Sequence, residues 1–129
     1  MIACQTAGML HHVQIACPEG TEDALRAFYV GVLGMTEKPK PPKLAVRGGC
    51  WFVDPYGAEL HLGVETDFRP ARKAHPALIR PDLDALAERL AAAGHPVTWA
   101  DPTEIPGTPR FHTEDPHGNR IEFLNPPPA

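Results

Sequence analysis

The chain has 129 residues, of which 22% are charged, and its formal net charge is −4 at pH 7. This length is enough for one compact domain or for two very small ones. Because acidic and basic residues are interspersed, the sequence argues against nucleic acid or an anionic membrane as the main partner.

The first half of the chain predicts a strand, a helix and then further strands. In residues 11–17 apolar and more polar side chains alternate, as they do in a strand packed on one face. Thr21 is a plausible N-cap, and apolar residues follow at helical spacing until Gly34 ends the run. A stiff proline-rich connector, residues 39–43, should hold neither helix nor inner strand. The strands predicted after it are residues 44–46, 50–53 and 59–64.

The second half repeats this plan. Residues 75–80 predict a strand, Asp82 a helix N-cap and Gly94 the end of that helix. A loop rich in proline and glycine then separates two of the remaining strands. The three remaining strands are predicted at residues 97–100, 110–114 and 119–124.

The linker between the halves, residues 66–73, is basic and carries Arg69, Arg72 and Lys73. Three positive charges so close together could steer an anionic substrate. A solvated linker is the alternative interpretation. The partner that these charges would favour is a small anionic molecule.

Three cysteines, Cys4, Cys17 and Cys50, are an odd number and have no metal-motif spacing. The first residues lack the basic segment and the long apolar run of a signal peptide. No apolar run approaches the ~20 residues that cross a bilayer. We therefore expect a reduced, cytoplasmic protein with no membrane partner.

An internal duplication links the two halves. Residues 54–62 (DPYGAELHL) reappear as residues 115–123 (DPHGNRIEF), so His61 lies over Glu122. The first strands of the two halves align in the same way. They place His12 over His75. Each half, at about 60 residues, would bury too little surface to be comfortably stable alone, so we expect a shared core or a dimer interface.

The duplicated positions carry side chains that suit a metal ion. On strands, these side chains fall on the more polar face, and an approximate two-fold axis between the halves would bring them together in one cleft. Three imidazoles and one carboxylate, without a thiolate, suit zinc, iron(II), manganese, cobalt or nickel. The alternative is that each residue is satisfied separately by backbone or water. The four candidates are His12, His61, His75 and Glu122, and the histidines left outside the set are His11, His95 and His117.

The sequence resembles the vicinal oxygen chelate superfamily, which includes glyoxalase I, the bleomycin and fosfomycin resistance proteins, extradiol dioxygenases and methylmalonyl-CoA epimerase. The resemblance extends over residues 10–125. It implies an α+β fold of two βαβββ modules related by an internal pseudo-two-fold axis, and a homodimer in which modules of two chains complete a site. The motifs that carry it are residues 10–13 (LHHV), 59–63 (ELHLG), 74–78 (AHPAL) and 115–124 (DPHGNRIEFL).

This resemblance implies one domain over residues 1–129 and the same four metal ligands. Glyoxalase I-like enzymes usually carry a carboxylate where this chain has His61, and Glu59, two residues away on the same face, is the candidate substitute. Extradiol dioxygenases use two histidines and one glutamate, which His12, His75 and Glu122 would supply. A fosfomycin-type enzyme would also use cationic residues to bind a phosphonate, and Arg69, Arg72 and Lys73 of the linker are the candidates. The implied bounds are residues 9–65 for module one, 66–73 for the linker and 74–125 for module two.

The resemblance predicts a small metal-dependent enzyme of lyase, isomerase or dioxygenase type whose substrate binds through two neighbouring oxygens. The metal would act as a Lewis acid, and Glu122 or Glu59 would transfer a proton. The alternative is a metal-free protein of the bleomycin-resistance type that sequesters a ligand in an apolar groove. The aromatic residues proposed to line that groove are Trp51, Tyr56, Trp99 and Phe111.

Overall fold

Each half of the chain folds into a four-stranded sheet covered on one face by helix. The structure is a computed structural model that describes residues 7–126. The elements of module one are β1 (Val13–Cys17), α1 (Glu22–Tyr29), β2 (Thr36–Lys38), α2 (Pro42–Ala45), β3 (Cys50–Val53) and β4 (Glu59–Val64). Those of module two are β5 (Ala77–Ile79), α3 (Leu83–Ala92), β6 (Thr98–Trp99), β7 (Arg110–Glu114) and β8 (Arg120–Leu124).

The two sheets have the same topology, with strand orders β1-β4-β3-β2 and β5-β8-β7-β6. In each sheet the first strand pairs in parallel with the last, and the other pairs are antiparallel. The predicted α+β fold of two βαβββ modules is confirmed. Among the described residues no helix is long and apolar enough to span a bilayer.

The alternation of β8 decides which side chains can form a site. Ile121 and Phe123 are fully buried in the apolar core, where each contributes about 1.5 to 3 kcal/mol relative to exposure. Arg120 and Glu122 therefore project from the opposite face of the sheet. The same reasoning places Phe111 in the core and puts its neighbour in β7, His112, on the polar face.

Buried hydrogen bonds join the two modules. The Tyr29 hydroxyl donates to Asp115 Oδ2 at 2.8 Å, and Asn119 Nδ2 donates to the Ala16 carbonyl at 2.8 Å. Arg80 Nη1 donates to the carbonyl of Leu33 at 2.8 Å. Burial and the neighbouring Asp115 carboxylate raise the pKa of Tyr29 well above its ordinary value, so the phenol stays a proton donor.

The strand prediction at residues 44–46 is wrong. Residues Pro42–Ala45 form the short helix α2, and the strand beside β3 is Thr36–Lys38, before the prolines. The connector was expected to exclude helix, but proline near the first helical position needs no N–H partner and has a suitable φ.

Neither predicted N-cap side chain caps its helix. The Thr21 hydroxyl donates to the Pro18 carbonyl, and Asp82 accepts instead from Arg80 Nε at 2.9 Å. Gly94, with a φ of 86°, follows the end of α3 as predicted. The helix α1 ends at Tyr29, five residues before Gly34, so the predicted end of that helix is wrong.

The two cysteines within the described residues, Cys17 and Cys50, are buried free thiols. Burial raises the pKa of both, that of Cys50 to about 11, so neither is a reactive thiolate at neutral pH. Cys4 lies outside the described residues.

Candidate metal centre

Three side chains with metal-binding atoms meet on the polar face of module two. The ligand atoms of His75, His112 and Glu122 all lie within 4.8 Å of one another. His112 and Glu122 are directly opposed in the antiparallel β7–β8 pair, which puts their side chains on one face at short distance. Ala77 is aligned with Glu122 in the parallel β5–β8 pair, so His75, two residues earlier, points to that face as well.

The hydrogen bonds of His75 suggest that the group needs a cation or a proton. His75 Nδ1 lies 2.8 Å from the carbonyl oxygen of Lys73, which can only accept, so Nδ1 carries a hydrogen. In the neutral ring Nε2 then has a lone pair, and it faces Glu122 Oε1 at 2.8 Å. Either Nε2 is protonated and donates to Oε1, or a bound cation takes the place of that proton. The carbonyl bond also orients the ring, as a metal-bound imidazole is normally oriented.

The surrounding charges keep the carboxylate of Glu122 ionised. Burial raises the pKa of Glu122, but the hydrogen bond with His75 and the charges of His112 and Arg110 outweigh it, and the net result is a lowered pKa. Burial lowers the pKa of His112, and the charge of Arg120 lowers it further. A carboxylate anion and a neutral imidazole are the protonation states that bind transition metals.

Arg110 would compete with a metal ion for the carboxylate of Glu122. Its Nη1 lies 3.3 Å from Glu122 Oε2, and its Nη2 lies 2.8 Å from Glu104 Oε1. The guanidinium therefore partly neutralises the buried carboxylate. Any cation bound by Oε2 would have to share it with this guanidinium.

A second polar group lies in module one. The ring of His61, whose residue is 4% exposed, is stacked between Trp51 and His12 at centroid distances of 4.2 and 3.8 Å. His61 Nε2 lies 2.7 Å from Glu59 Oε2, and Lys38 Nζ approaches the same oxygen at 3.3 Å. Burial lowers the pKa of His61, and the hydrogen bond with His61 lowers that of Glu59.

The structure thus arranges the four predicted ligands as two pairs. His75 contacts Glu122 in module two, and His12 stacks on His61 in module one. The group of ligand atoms found within residues 7–126 contains the first pair and not the second. Within one chain, the four side chains are therefore not gathered around a single point.

His112 was missed in the sequence analysis because the duplication does not point to it. The residue that occupies its place in module one is Trp51, which is cross-strand to His61 as His112 is to Glu122. The signal lay instead in the hairpin register. Pairing residues 110–114 with 120–124 across the turn at 115–118 sets His112 opposite Glu122.

The four aromatic residues proposed for a binding groove do not share one surface. Phe111 is fully buried, and Trp99 packs against it on the core face at a centroid distance of 5.1 Å. Trp51 is stacked on His61 on the polar face. Tyr56 is half-exposed, with the guanidinium of Arg80 5.3 Å from its ring centre.

Comparison with known proteins gives one family. The sequence matches the model of the Glyoxalase/Bleomycin resistance protein/Dioxygenase superfamily over residues 10–123. It is also similar to a solved structure described as a glyoxalase family protein from Bacillus anthracis, with 44% identity and a TM-score of 0.83. That alignment covers 91% of this chain and 93% of the other. No curated protein matches the sequence.

Solved structures of lower identity share the fold. An antibiotic binding protein, TnmS3, from a Streptomyces species is 23% identical, with a TM-score of 0.68 over 92% of this chain and 98% of that one. The fosfomycin resistance protein FosX from Listeria monocytogenes is 14% identical, with a TM-score of 0.71 over 94% and 95%. At these identities the similarity concerns architecture alone.

Proposed function

Because the chain belongs to the Glyoxalase/Bleomycin resistance protein/Dioxygenase superfamily, we propose that it is a metal-dependent enzyme whose small substrate binds through two neighbouring oxygens. The observation that carries this proposal is the group formed by His75, His112 and Glu122, whose ligand atoms all lie within 4.8 Å of one another. The reaction would be of the lyase, isomerase or dioxygenase type. A reducing, cytoplasmic location fits the free thiols of Cys17 and Cys50.

In this proposal His75 and Glu122 are metal ligands, as expected from the sequence, and His112 is a third donor. A divalent transition metal held there would supply Lewis acidity to a chelated substrate oxygen. The Lys73 carbonyl would fix the tautomer and orientation of His75. The second oxygen of Glu122, Oε2, is held by Arg110. In this proposal Oε2 is the atom that exchanges a proton with the substrate.

His12 and His61 remain proposed ligands, supplied by a second copy of the chain. They lie on module one with Glu59, and neither belongs to the ligand group of module two. In a symmetric dimer, module one of each copy would face module two of the other and form two equivalent sites. Glu59, which already accepts hydrogen bonds from His61 and Lys38, would then be the second proton-transfer residue.

Metal analysis tests the proposal directly. Protein purified without chelator and without a nickel-affinity step should contain about one equivalent of a transition metal per chain, since each chain supplies one set of ligands. Inductively coupled plasma mass spectrometry measures this content. Less than about a tenth of an equivalent of every transition metal would rule the proposal out.

The ion pair of Arg110 favours one alternative, a metal-free protein that sequesters a small ligand. Arg110 already neutralises part of the buried charge of Glu122, so the polar face can be satisfied without a metal. Ligand binding that persists in chelator, and in a His61→Ala, Glu122→Ala double variant, would support this alternative.

The metal affinity of an Arg110→Gln variant distinguishes the metal-dependent enzyme from the metal-free binding protein. If a metal occupies the site, removing the competing guanidinium should tighten metal binding about fivefold, the equivalent of an ion pair of about 1 kcal/mol. Competition with a fluorescent chelator measures the affinity. Arg26→Gln, which breaks an exposed pair with Glu37, is the control and should change nothing. Weaker metal binding by Arg110→Gln would contradict the assigned competition.

A further inference from the structure

We infer that a depression beside the candidate metal centre is a subsite for an oxyanion group of the substrate, such as a phosphate, phosphonate, sulfonate or carboxylate. The depression has a volume of about 220 Å³, and its polar lining residues are Arg72, Arg120, Thr98, His112, Thr113 and Glu114. His112 belongs both to the metal group and to this lining. The inference rests on the proposed function, because it assigns the substrate of that site.

The backbone holds the linker against the start of β8. The Arg120 amide donates to the Ala71 carbonyl at 2.9 Å, and the Ala71 amide donates to Asn119 Oδ1 at 3.0 Å. Gly118 has a φ of 91°, and a Cβ placed there would lie 3.3 Å from the Cβ of Pro70, so glycine permits the close approach. These contacts hold residues 70–71 of the linker against residues 118–120, and none of them uses the guanidinium of Arg72 or Arg120.

The two guanidinium groups are left without acidic partners. Within residues 7–126 neither Arg72 nor Arg120 has a carboxylate at ion-pair distance. Glu114 also lines the depression and is opposed to Arg120 in the β7–β8 pair, but it makes no ion pair with it. Both positive charges line the same depression, so an anion bound there would be attracted by both.

Two kinds of side chain in the lining, guanidinium and hydroxyl, bind oxyanions, whereas Glu114 does not. A guanidinium offers two parallel N–H donors to a phosphate or carboxylate, and the Thr98 hydroxyl can add a third hydrogen bond. Since His112 belongs both to the lining and to the metal group, one small molecule could place an anionic group in the depression and its chelated oxygens at the metal. The substrate class is therefore a small molecule that combines two neighbouring oxygens with a nearby anionic group.

Titration of metal-free protein with inorganic phosphate tests this subsite independently of the metal. Chelator-treated full-length protein is titrated at constant ionic strength, with chloride as the competing anion, and the amide resonances of Gly118 and Arg120 are followed by NMR. Saturable binding is expected, and Arg72→Gln and Arg120→Gln should each weaken it about tenfold, the usual effect of losing a charge-assisted hydrogen bond. Neither side chain has a hydrogen bond to lose in the fold, so the thermal midpoint should not change.

Arg69→Gln is the matched control, because Arg69 belongs to the same linker, has no ion pair and lines a different depression. It should leave phosphate binding unchanged. The inference is overturned if phosphate does not saturate the wild-type protein, or if Arg69→Gln weakens binding as much as Arg72→Gln. If the protein as purified contains less than about a tenth of an equivalent of metal but its chelator-treated form binds phosphate, the proposed enzyme is overturned and the subsite stands. If the purified protein contains metal but phosphate does not bind, the subsite is overturned and the proposed enzyme stands.

Discussion

Replacing Glu122 with glutamine should abolish transition-metal binding while leaving the fold intact. Glutamine keeps the size of the side chain but removes the only carboxylate of the group, and a neutral amide oxygen is a poor ligand beside two imidazoles. We expect a loss of affinity greater than the roughly 100-fold that changes around a ligand produce. Metal content after dialysis and chelator competition measure it.

Glu114→Gln is the control for this substitution. Glu114 is on the same face of the neighbouring strand, two residues from His112, and has no atom in the metal group. Its metal affinity should match that of the wild type. Equal metal binding by Glu122→Gln and the wild type would remove Glu122 from the proposed ligand set.

Mixing two variants would show whether one site draws ligands from two chains. His61→Ala and Glu122→Gln should each fail to bind metal. In a random mixture half of the dimers combine one chain of each kind, and one of their two sites has both residues intact, so about a quarter of the metal should return. If every ligand comes from a single chain, the mixture will bind no more metal than its components.

Asn119→Ala should destabilise the protein by about 2 to 4 kcal/mol, because this side chain holds three segments together. Its amide nitrogen donates to the Ala16 carbonyl and to Asp115 Oδ2, and its oxygen accepts from the Ala71 amide. The residue is 1% exposed, so water cannot replace these partners easily. Chemical unfolding in urea, followed by circular dichroism, measures the loss.

Asn125→Ala is the matched control, since none of the described hydrogen bonds uses the Asn125 side chain, and it should cost less than about 0.5 kcal/mol. If residues 1–129 form one domain, both proteins should unfold in a single transition, because the bonds of Tyr29 to Asp115 and of Arg80 to Leu33 still join the modules. A loss below about 1 kcal/mol for Asn119→Ala would mean that the modules do not depend on these bonds.

The sequence was informative where structure follows from neighbouring residues. Alternation in residues 120–124 assigned Ile121 and Phe123 to the core and Glu122 to the polar face, as found. It failed at residues 44–46, because β-branched and apolar residues there suit a strand as well as a helix, and the prolines before them start α2.

The candidate site was only partly predictable, because its members come from different strands. His75 and Glu122 were found through the duplication, whereas His112 depended on how β7 pairs with β8. Assuming that the two modules are strictly equivalent hid His112, because the residue at the matching place in module one is Trp51, which cannot bind a metal. A repeat conserves the backbone pattern more closely than the side chains that a site requires.

By itself the sequence determined two equivalent βαβββ modules and the residue types available to a metal, because side-chain period and internal repetition are properties of the chain order. Only the tertiary structure decided which of these residues meet. It paired His75 with Glu122 and His112, kept His61 with Glu59, and placed Arg72 and Arg120 in the lining of one depression. The physical reason is that such contacts depend on strand register and on backbone bonds between distant segments, which no local pattern encodes.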